Sequence, residues 1–400
     1  MGVIIKKFGG SSVADIDGIR RVAARIAEDR RTQPDIVVVV SAMGQTTDEL
    51  FAMAYGISRF PSQRELDMLL TAGERISMSL LSLALHEHGI DSISFTGSQS
   101  GIITDARHGN ARILRVSAFR LREELARGKV VIVAGFQGVS TTKEVTTLGR
   151  GGSDTTAVAL ACYLDAERCE ICKDVDGVYT ADPRFVPAAR RLDSVTYEQM
   201  LTLSCTGAGV LHSRAVEFAD HYRRPIEITS SRQRTRGTRI VPGEAAIARP
   251  LPQGDDMEAR RILALTSKKN LVCYTCSGEE SAGFWDDLNR DELDIFWYEF
   301  SGSGVILYID NAFSECLERV LAKHDMTYEC IRELAAITLV GHNIWNDFSL
   351  VGEVRELLRN CSVARVTHGT MHITFFFAET YEAEALCLLH EKFIETNDSD

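Results

Sequence analysis

Short, wholly apolar runs alternate with amphipathic stretches over roughly the first 240 residues of the chain. Runs such as DIVVVVS, residues 35–41, predict strands that are buried on both faces. Between them, apolar residues recur three or four positions apart, as on one face of a helix. The pattern predicts an α/β fold, a mostly parallel sheet sandwiched by helices. Strands are predicted at 3–7, 36–41, 92–96, 130–134 and 169–173, and helices around Ile16, Ile19, Ala23 and Ile26 and around Leu114, Ala118, Leu121 and Leu125.

A stretch rich in Pro, Gly and Ala, 241–254, ends this pattern. Beyond it the predicted elements follow a β-α-β-β-α-β order, which is typical of small α+β modules. We therefore predict an α/β domain over 1–245, a linker over 246–260 and a tandem α+β region over 261–400. In that region strands are predicted at 271–275, 294–300, 305–309, 335–340, 363–366 and 372–377, and helices at 312–323, 350–359 and 381–393.

The charge balance is acidic, with a formal net charge of −12. This argues against general nucleic-acid binding, because no basic face compensates it, whereas a nucleotide site needs only a local cluster of cations. No apolar run approaches the roughly 20 residues of a membrane span. The N-terminal VIIKKF run also lacks the apolar stretch of a signal peptide. We expect a cytoplasmic protein that binds neither nucleic acid nor membrane.

The ten cysteines include two pairs with CxxC spacing, Cys169 with Cys172 and Cys273 with Cys276. This spacing is found in zinc sites. Both pairs, however, lie in apolar or β-branched surroundings that predict strands, where residues three apart point to opposite faces. Neither pair contains the glycine of a knuckle turn. We therefore predict reduced, mostly buried thiols rather than a zinc site.

Polar and glycine-rich segments follow several of the predicted strands, at the sheet edge where parallel sheets bind ligands. The first is KFGGSS, residues 7–12. Gly9 and Gly10 lack a Cβ and so let backbone N–H groups approach phosphate oxygens closely, with Lys7 as the neighbouring cation. The alternative is a simple glycine turn beside a solvated lysine.

A second segment contains GFQG, residues 135–138, and LGRGGSD, residues 148–154, which leads into an apolar helix. Ser153 or Asp154 is predicted to cap that helix, and the simplest interpretation is a cap alone. A cap does not require Gly-Arg-Gly-Gly before it, however. Glycine there opens the helix N-terminus to an anion, and Arg150 offers a bidentate partner for a carboxylate or phosphate.

The third segment is KDVDGVYTADPR, residues 173–184, directly after a predicted strand. It is either an ordinary acidic β-turn or part of a nucleotide site. In the second interpretation Tyr179 lies beside the base or ribose, and Arg184 contacts phosphate.

Together these segments resemble the amino-acid kinase superfamily and, within it, the aspartate kinases. The matching signatures are KFGGSS, VSAMGQTTDEL, GER, GFQG, TLGRGGSD and DVDGVYTADPR, followed by GAGVLHSRAVEFA at 207–219. The resemblance is strong over residues 1–240 and weak beyond, where that family carries paired ACT regulatory modules. It implies phosphoryl transfer from ATP, with Mg²⁺, to the side-chain carboxylate of L-aspartate. That reaction is the first step toward lysine, threonine and methionine or a related product.

The resemblance also implies roles for individual residues. Lys7 and Asp154 are implied to be catalytic. The amino acid is implied to lie among Ser41, Thr47, Glu74, Arg150, Gly151, Gly152 and Ser153. ATP is implied to lie among Lys7, Phe8, Gly9, Gly10, Lys173, Asp174, Tyr179 and Arg184, with no metal ligand assigned in the protein beyond Mg-ATP.

The chemistry agrees with these roles, because the attacking carboxylate is already ionised at neutral pH and needs no general base. An anionic nucleophile approaching an anionic phosphoryl group needs cations instead. We therefore interpret Asp154 as orienting the substrate ammonium or the lysine, not as a proton acceptor.

Two departures from the family pattern bear on ATP binding. The family usually has Thr where this chain has Lys173, and an ATP-contacting Lys where it has Gly209. We hypothesise that Lys173 partly replaces the missing cation; the alternative is a surface lysine and a neutral glycine replacement. The C-terminal region also lacks the Pro-Gly of ACT effector sites. We predict weak or absent inhibition by lysine or threonine, with modules that mainly form a homodimer or larger homo-oligomer.

Two other functions remain open from the sequence. One is a kinase for another carboxylate, such as a glutamate or acetylglutamate kinase, although these lack the long ACT-like tail and the combination of GER with GRGGSD. The other is a non-catalytic amino-acid-binding regulator, for which Gly209 is the sole support.

Overall fold

The computed structural model describes residues 2–243, 260–278, 281–290, 293–302 and 304–396. These residues divide into two compact units. The first comprises Met1–Val178, Leu192–Leu201 and Gly209–Arg249, and the second comprises Tyr179–Arg191, Thr202–Ala208 and Pro250–Asp400. The predicted linker, 246–260, lies outside the described residues except for Arg260.

The first unit is built on an eight-stranded sheet and a smaller four-stranded one. The strands are β1 (Ile4–Phe8), β2 (Ile36–Val40), β3 (Ser92–Phe95), β4 (Ile102–Thr104), β5 (Ile113–Val116), β6 (Val130–Ala134), β7 (Gln137–Ser140), β8 (Val145–Thr147), β9 (Arg168–Lys173), β10 (Ser194–Thr196), β11 (Ile226–Ser230) and β12 (Thr238–Val241). The helices are α1 (Ile16–Asp29), α2 (Thr46–Ile57), α3 (Gln63–Leu70), α4 (Ala72–Glu87), α5 (Phe119–Ala126), α6 (Gly152–Leu164), α7 (Tyr197–Cys205) and α8 (Ser213–His221).

The large sheet runs in the order β10-β12-β11-β9-β1-β2-β6-β3. Its pairs are parallel except β11 with β12. Strands β1, β2 and β6 are buried at every position, as their uninterrupted apolar runs predict. Helices α1 and α4 contribute to the same hydrophobic cluster as these strands. The predicted mostly parallel α/β fold is confirmed, and the carboxyl ends of β1, β2, β6 and β9 meet at one edge.

One predicted helix begins too early. Leu114 lies in β5, which pairs antiparallel with β4, and the helix starts at Phe119. The apolar spacing from Leu114 to Leu121 resembled a helical face, but Leu114 is 59% exposed and contributes nothing to a helical core. Ala118 has a non-helical backbone, which separates the two elements.

The second unit contains a six-stranded antiparallel sheet in the order β14-β15-β13-β16-β18-β17. Its strands are β13 (Arg261–Ser277), β14 (Ile295–Ser301), β15 (Gly304–Asp310), β16 (Thr327–His342), β17 (Arg365–Gly369) and β18 (His372–Ala378). Its helices are α9 (Ala282–Arg290), α10 (Ser314–Lys323), α11 (Phe348–Leu357) and α12 (Glu382–His390). The predicted α+β character is confirmed.

Both CxxC pairs lie on strands, as predicted: Cys169 and Cys172 on β9, and Cys273 and Cys276 on β13. All four cysteines are buried and free. The helical stretch Gln63–Glu87, which spans α3 and α4, is long and apolar enough for a membrane span by length and composition alone. Within it, however, the carboxylates of Asp67 and Glu74 are buried and hydrogen-bonded to other segments of the first unit.

Candidate active site

A cluster of two lysines and one aspartate joins β1, β9 and α6. The Nζ of Lys7, near the end of β1, lies 2.7 Å from Oδ1 of Asp154 in the first turn of α6. The Nζ of Lys173, the last residue of β9, donates to Oδ2 of the same carboxylate at 3.0 Å. Lys7 and Asp154 are buried, and Lys173 is 19% exposed in its side chain. The cluster carries one net positive charge.

Burial and charge act in opposite directions on this cluster. Burial alone raises the pKa of Asp154, but the ammonium groups of Lys7 and Lys173 outweigh it and lower that pKa to about 2. Burial lowers the pKa of Lys7 from its ordinary value, while Asp154 opposes the shift and Lys173 adds to it. An anionic ligand beside these lysines would favour their protonated, positively charged forms and so raise the pKa of Lys7.

The glycines after β1 are set by close backbone packing. A Cβ at Gly10 would lie 2.9 Å from the carbonyl oxygen of Ala42, so only glycine fits there. Gly9 lies beside the side chain of Lys7, because a Cβ at Gly9 would be 3.4 Å from Nζ of Lys7. Phe8, by contrast, is fully buried in the hydrophobic cluster between sheet and helices. Only its main chain can therefore serve the ATP role implied for it.

Glu74 is a buried carboxylate in the first turn of α4. Its Oε1 accepts a hydrogen bond from the backbone N–H of Ala42 at 3.1 Å, whereas Oε2 is buried and has no hydrogen-bond partner among the described residues. Burial raises the pKa of Glu74 to about 7. An unsatisfied buried acceptor is costly, and a cationic donor beside Oε2 would satisfy it.

The start of α6 differs from the prediction. Neither Ser153 nor Asp154 caps this helix, because both lie inside it; the cap position is Gly151, with φ 69° and no side-chain bond. A side chain at Gly151 would also collide with His212, 2.2 Å away. Ser153 packs against Gly135, where a Cβ would lie 2.7 Å from its Oγ. Gly135, the first residue of GFQG, is thus needed for close packing against α6.

The remaining predicted substrate residues lie on separate elements of the first unit. Ser41 follows β2 directly, and its N–H donates to the carbonyl of Phe8 at 3.2 Å. Thr47 lies in the first turn of α2 and Gly152 begins α6. Arg150 lies on the exposed side of the loop between β8 and α6.

Sequence reasoning missed Asp67, a fully buried residue of α3. Its carboxylate accepts from Oγ1 of Thr147 at 2.6 Å and from the N–H of Gly109 at 3.0 Å, and Nδ1 of His108 lies 2.6 Å from it. Thr147 ends β8 immediately before the loop that carries Arg150. The sequence did contain a signal for this residue, because an acidic side chain at a core-facing position of an amphipathic helix needs a buried partner.

Arg214 of α8 was missed as well. Its guanidinium donates to the carbonyl of Leu148 at 2.7 Å, to the carbonyl of Ala111 at 2.6 Å and to Oδ1 of Asn110 at 3.2 Å. Arg214 therefore ties the loop between β8 and α6 to the segment after β4. The histidine–serine–arginine run at 212–214 stood inside a matched signature but carried no predicted role.

The residues predicted around ATP are not all in one unit. Asp174, just beyond β9, is exposed and belongs to the first unit, as does Gly209, where a Cβ would meet no atom within 4 Å. Tyr179 and Arg184 belong to the second unit. There Tyr179 forms a β-bridge with Arg191, and Arg184 makes an ion pair with Asp182 at 2.6 Å.

Comparison with known proteins identifies the family. A profile of the amino acid kinase family matches residues 2–230. Aspartokinase 2 of Bacillus subtilis is 54% identical to this chain, over 98% of each protein. The aspartokinase of Geobacillus stearothermophilus is 41% identical, over 98% of this chain and 97% of its own length. The chain belongs to the amino acid kinase family, in its aspartokinase branch.

The fold of this aspartokinase-family chain also matches a solved structure. Escherichia coli aspartokinase III, determined in complex with aspartate and ADP, superposes with a TM-score of 0.80 at 24% identity. The match covers 97% of this chain and 99% of the other. The likeness therefore extends over both units.

Proposed function

We propose that this chain is an aspartate kinase, which transfers the γ-phosphoryl group of ATP to the side-chain carboxylate of L-aspartate and so forms 4-phospho-L-aspartate and ADP. The observation that carries the proposal is the Lys7–Asp154–Lys173 cluster at the carboxyl ends of β1 and β9. Aspartate and ADP, the ligands of the E. coli relative, have the chemistry that this edge would accept.

The residues act by charge and position. Lys7 and Lys173 reduce repulsion between the substrate carboxylate and the phosphoryl group, and Asp154 holds both ammonium groups in place. With a pKa of about 2, Asp154 stays ionised at neutral pH and takes no proton. The N–H groups around Gly9 and Gly10 add donors for phosphate oxygens.

The amino-acid substrate is recognised by charge at both ends of its backbone. Oε2 of Glu74, which has no hydrogen-bond partner in the part of the chain that the structure describes, accepts from the α-ammonium group, and Arg150 binds the α-carboxylate. Ser41, Thr47 and Ser153 supply hydroxyl groups around it, and Gly151 and Gly152 contribute main chain at the start of α6.

ATP binds with Mg²⁺, a hard cation that takes oxygen ligands and would be held mainly by phosphate oxygens. We assign no protein ligand to that cation, and Asp174, exposed just beyond β9, belongs to the proposed ATP-binding residues. We also propose roles in ATP binding for Tyr179 and Arg184.

Residues 1–245 would form the catalytic domain and 261–400 the ACT-like region. We propose a cytoplasmic homo-oligomer that binds neither nucleic acid nor membrane.

Trapping the acyl phosphate with hydroxylamine tests this function. Aspartate, ATP and Mg²⁺ should give a hydroxamate, and glutamate should give much less. Lys7→Met should lower the rate by about 100-fold or more, because one removed transition-state donor typically costs that much. Lys143→Met, at an exposed turn, should leave it unchanged.

Preference for glutamate would assign the other carboxylate-kinase function. Absence of product with every acid tested, in a protein that still binds aspartate, would assign the regulator.

A further inference from the structure

A hollow of about 640 Å³ lies between α1 and the loop that follows β11. Arg21 and Arg25 of α1 line it from one side, and Arg232 and Arg234 of the loop line it from the other. Its lining also includes Glu28. We call it the arginine hollow. Four guanidinium groups converge there, although the whole chain carries a net charge of −12.

Only one of these arginines is neutralised by carboxylates among the described residues. Arg234 makes ion pairs with Glu28 at 2.8 Å and with Asp29 at 2.9 Å. Arg25 donates to the carbonyl of Ser230 at 2.5 Å, and its Nε is buried without a hydrogen-bond partner.

The other two guanidinium groups are less constrained. Within the described part of the chain, the side chains of Arg21 and Arg232 make no hydrogen bond or ion pair, and both residues are exposed. Three positive charges that lack a carboxylate partner therefore border one hollow.

Such an arrangement is unfavourable unless an anion accompanies it. Like charges repel, and a buried N–H without an acceptor loses the hydrogen bonds that water would otherwise give it. Guanidinium groups match the tetrahedral oxygens of phosphate with paired N–H donors. We propose that the arginine hollow binds the phosphate group of a small molecule, either free phosphate or a phosphorylated metabolite.

The hollow is distinct from the candidate active site. Consecutive residues of β1 point to opposite faces of the sheet. Lys7 reaches Asp154 on α6, whereas Lys6 reaches Asp29 on α1 at 3.0 Å. The arginine hollow lies on the α1 side, next to Asp29.

The hollow nevertheless connects to the active site through the backbone. Ser230 pairs with Lys173 in the sheet register, and the N–H of Ser231 donates to the carbonyl of Lys173 at 2.6 Å. An anion that draws Arg25 and the 231–234 loop together would shift the end of β9. We therefore expect occupancy of the hollow to change the KM for ATP.

Calorimetric titration of the full chain with inorganic phosphate tests the binding. The titration is made without nucleotide, and the binding that is lost in the Arg21→Gln/Arg232→Gln variant is the part that reports on the hollow. Acetate at equal ionic strength is the control for a monovalent carboxylate. Phosphate should bind with one equivalent per chain and weaken as salt is added.

The double variant Arg21→Gln/Arg232→Gln should weaken phosphate binding by about tenfold or more, because it removes two charge-assisted donors. Arg21→Lys/Arg232→Lys, which keeps charge but loses the planar fork, should give an intermediate affinity. Arg20→Gln/Arg31→Gln changes the same net charge near the same helix outside the hollow and should match the wild type. Thermal melting would establish that all variants fold.

Glycerol phosphate, titrated in parallel, distinguishes the two ligand sources. Equal affinity would indicate that a free phosphate group suffices, and tighter binding would indicate a phosphorylated metabolite. Absence of phosphate binding, or equal binding in the Gln double variant, would overturn the site. The hydroxamate assay is independent of this result, so failure of the site leaves the proposed kinase activity untouched.

Discussion

Glu74 combines burial, a raised pKa and an oxygen that has no hydrogen-bond partner within the described ranges. It is 3% exposed, and burial raises its pKa to about 7 even though Ala42 donates to it. An ammonium group beside Oε2 favours the ionised carboxylate and lowers the pKa again. Below about pH 7 the free enzyme therefore holds a proton on Glu74 that must leave when aspartate binds.

This predicts that the KM for aspartate falls as pH rises toward about 7 and is constant above it. Well below that value the KM should change by nearly tenfold for each pH unit, because one proton is displaced for each bound substrate. Steady-state kinetics across this range measures the slope. In Glu74→Gln the slope should vanish while the KM is raised throughout. An unchanged slope in that variant would assign the titration to another group.

Lys173 is the second residue that permits a direct test. It shares the Asp154 carboxylate with Lys7, and Gly209 leaves open space at the position where the aspartate kinase pattern predicts a lysine. Lys173→Thr should raise the KM for ATP by about tenfold, the effect of one lost charge-assisted contact. Adding Gly209→Lys to that variant should restore part of the affinity. A KM for ATP that is unchanged in the single variant would show that Lys173 does not replace the missing cation.

The loop between β8 and α6 is held from two sides by separate elements. From α3, Asp67 accepts from Thr147 at the start of the loop. From α8, Arg214 donates to the carbonyl of Leu148. The loop carries Arg150, the proposed partner of the substrate α-carboxylate. The position of Arg150 relative to Glu74 therefore depends on α3 and α8, which have no proposed contact with the substrate.

We predict that Arg214→Gln raises the KM for aspartate by about tenfold and lowers kcat less, because it loosens a positioning contact rather than a reacting group. Arg223→Gln, which breaks an exposed ion pair with Asp220 just after the same helix, is the matched control and should have little effect. Equal effects of Arg214→Gln on the KM values for aspartate and ATP would indicate general unfolding of the site instead.

Local patterns predicted which loops would form the site but not how they are held. Glycine, serine and aspartate directly after apolar runs placed the Lys7 and Lys173 segments at one sheet edge, and β1 and β9 do pair there. The cap of α6 was predicted wrongly because the tight approach of His212 requires glycine at 151, which no local pattern reveals. Asp67 and Thr147 lie 80 residues apart, and such contacts exist only after folding.

At the scale of the whole molecule, the starts of two helical segments in the second unit bear on whether an amino-acid effector could bind there. Amino-acid effectors present a carboxylate, and free N–H groups at a helix N-terminus are a natural site for it. In this chain aspartates occupy two of these places. At the start of α11, Oδ1 of Asp347 accepts from the N–H of Leu350 at 2.9 Å, and in the 3-10 turn directly before α10, Oδ1 of Asp310 accepts from the N–H of Ala312 at 3.1 Å. Arg260 and Lys268 in turn pair with these carboxylates.

Lysine or threonine is therefore expected to inhibit the enzyme weakly or not at all. An effector carboxylate at either place would have to displace the side chain of Asp347 or Asp310 from the N–H group that it accepts from, and the displaced aspartate would repel it. Neither amino acid should change the initial rate at sub-saturating aspartate when it is added at about 10 mM. That concentration is about ten times the Kd of a site that binds with a Kd of about 1 mM and would nearly saturate it. Lysine and threonine should be tested singly and together, with sodium chloride matching ionic strength. Saturable inhibition at lower concentrations would contradict the prediction, and its loss in Arg260→Gln would place the effector near Asp347.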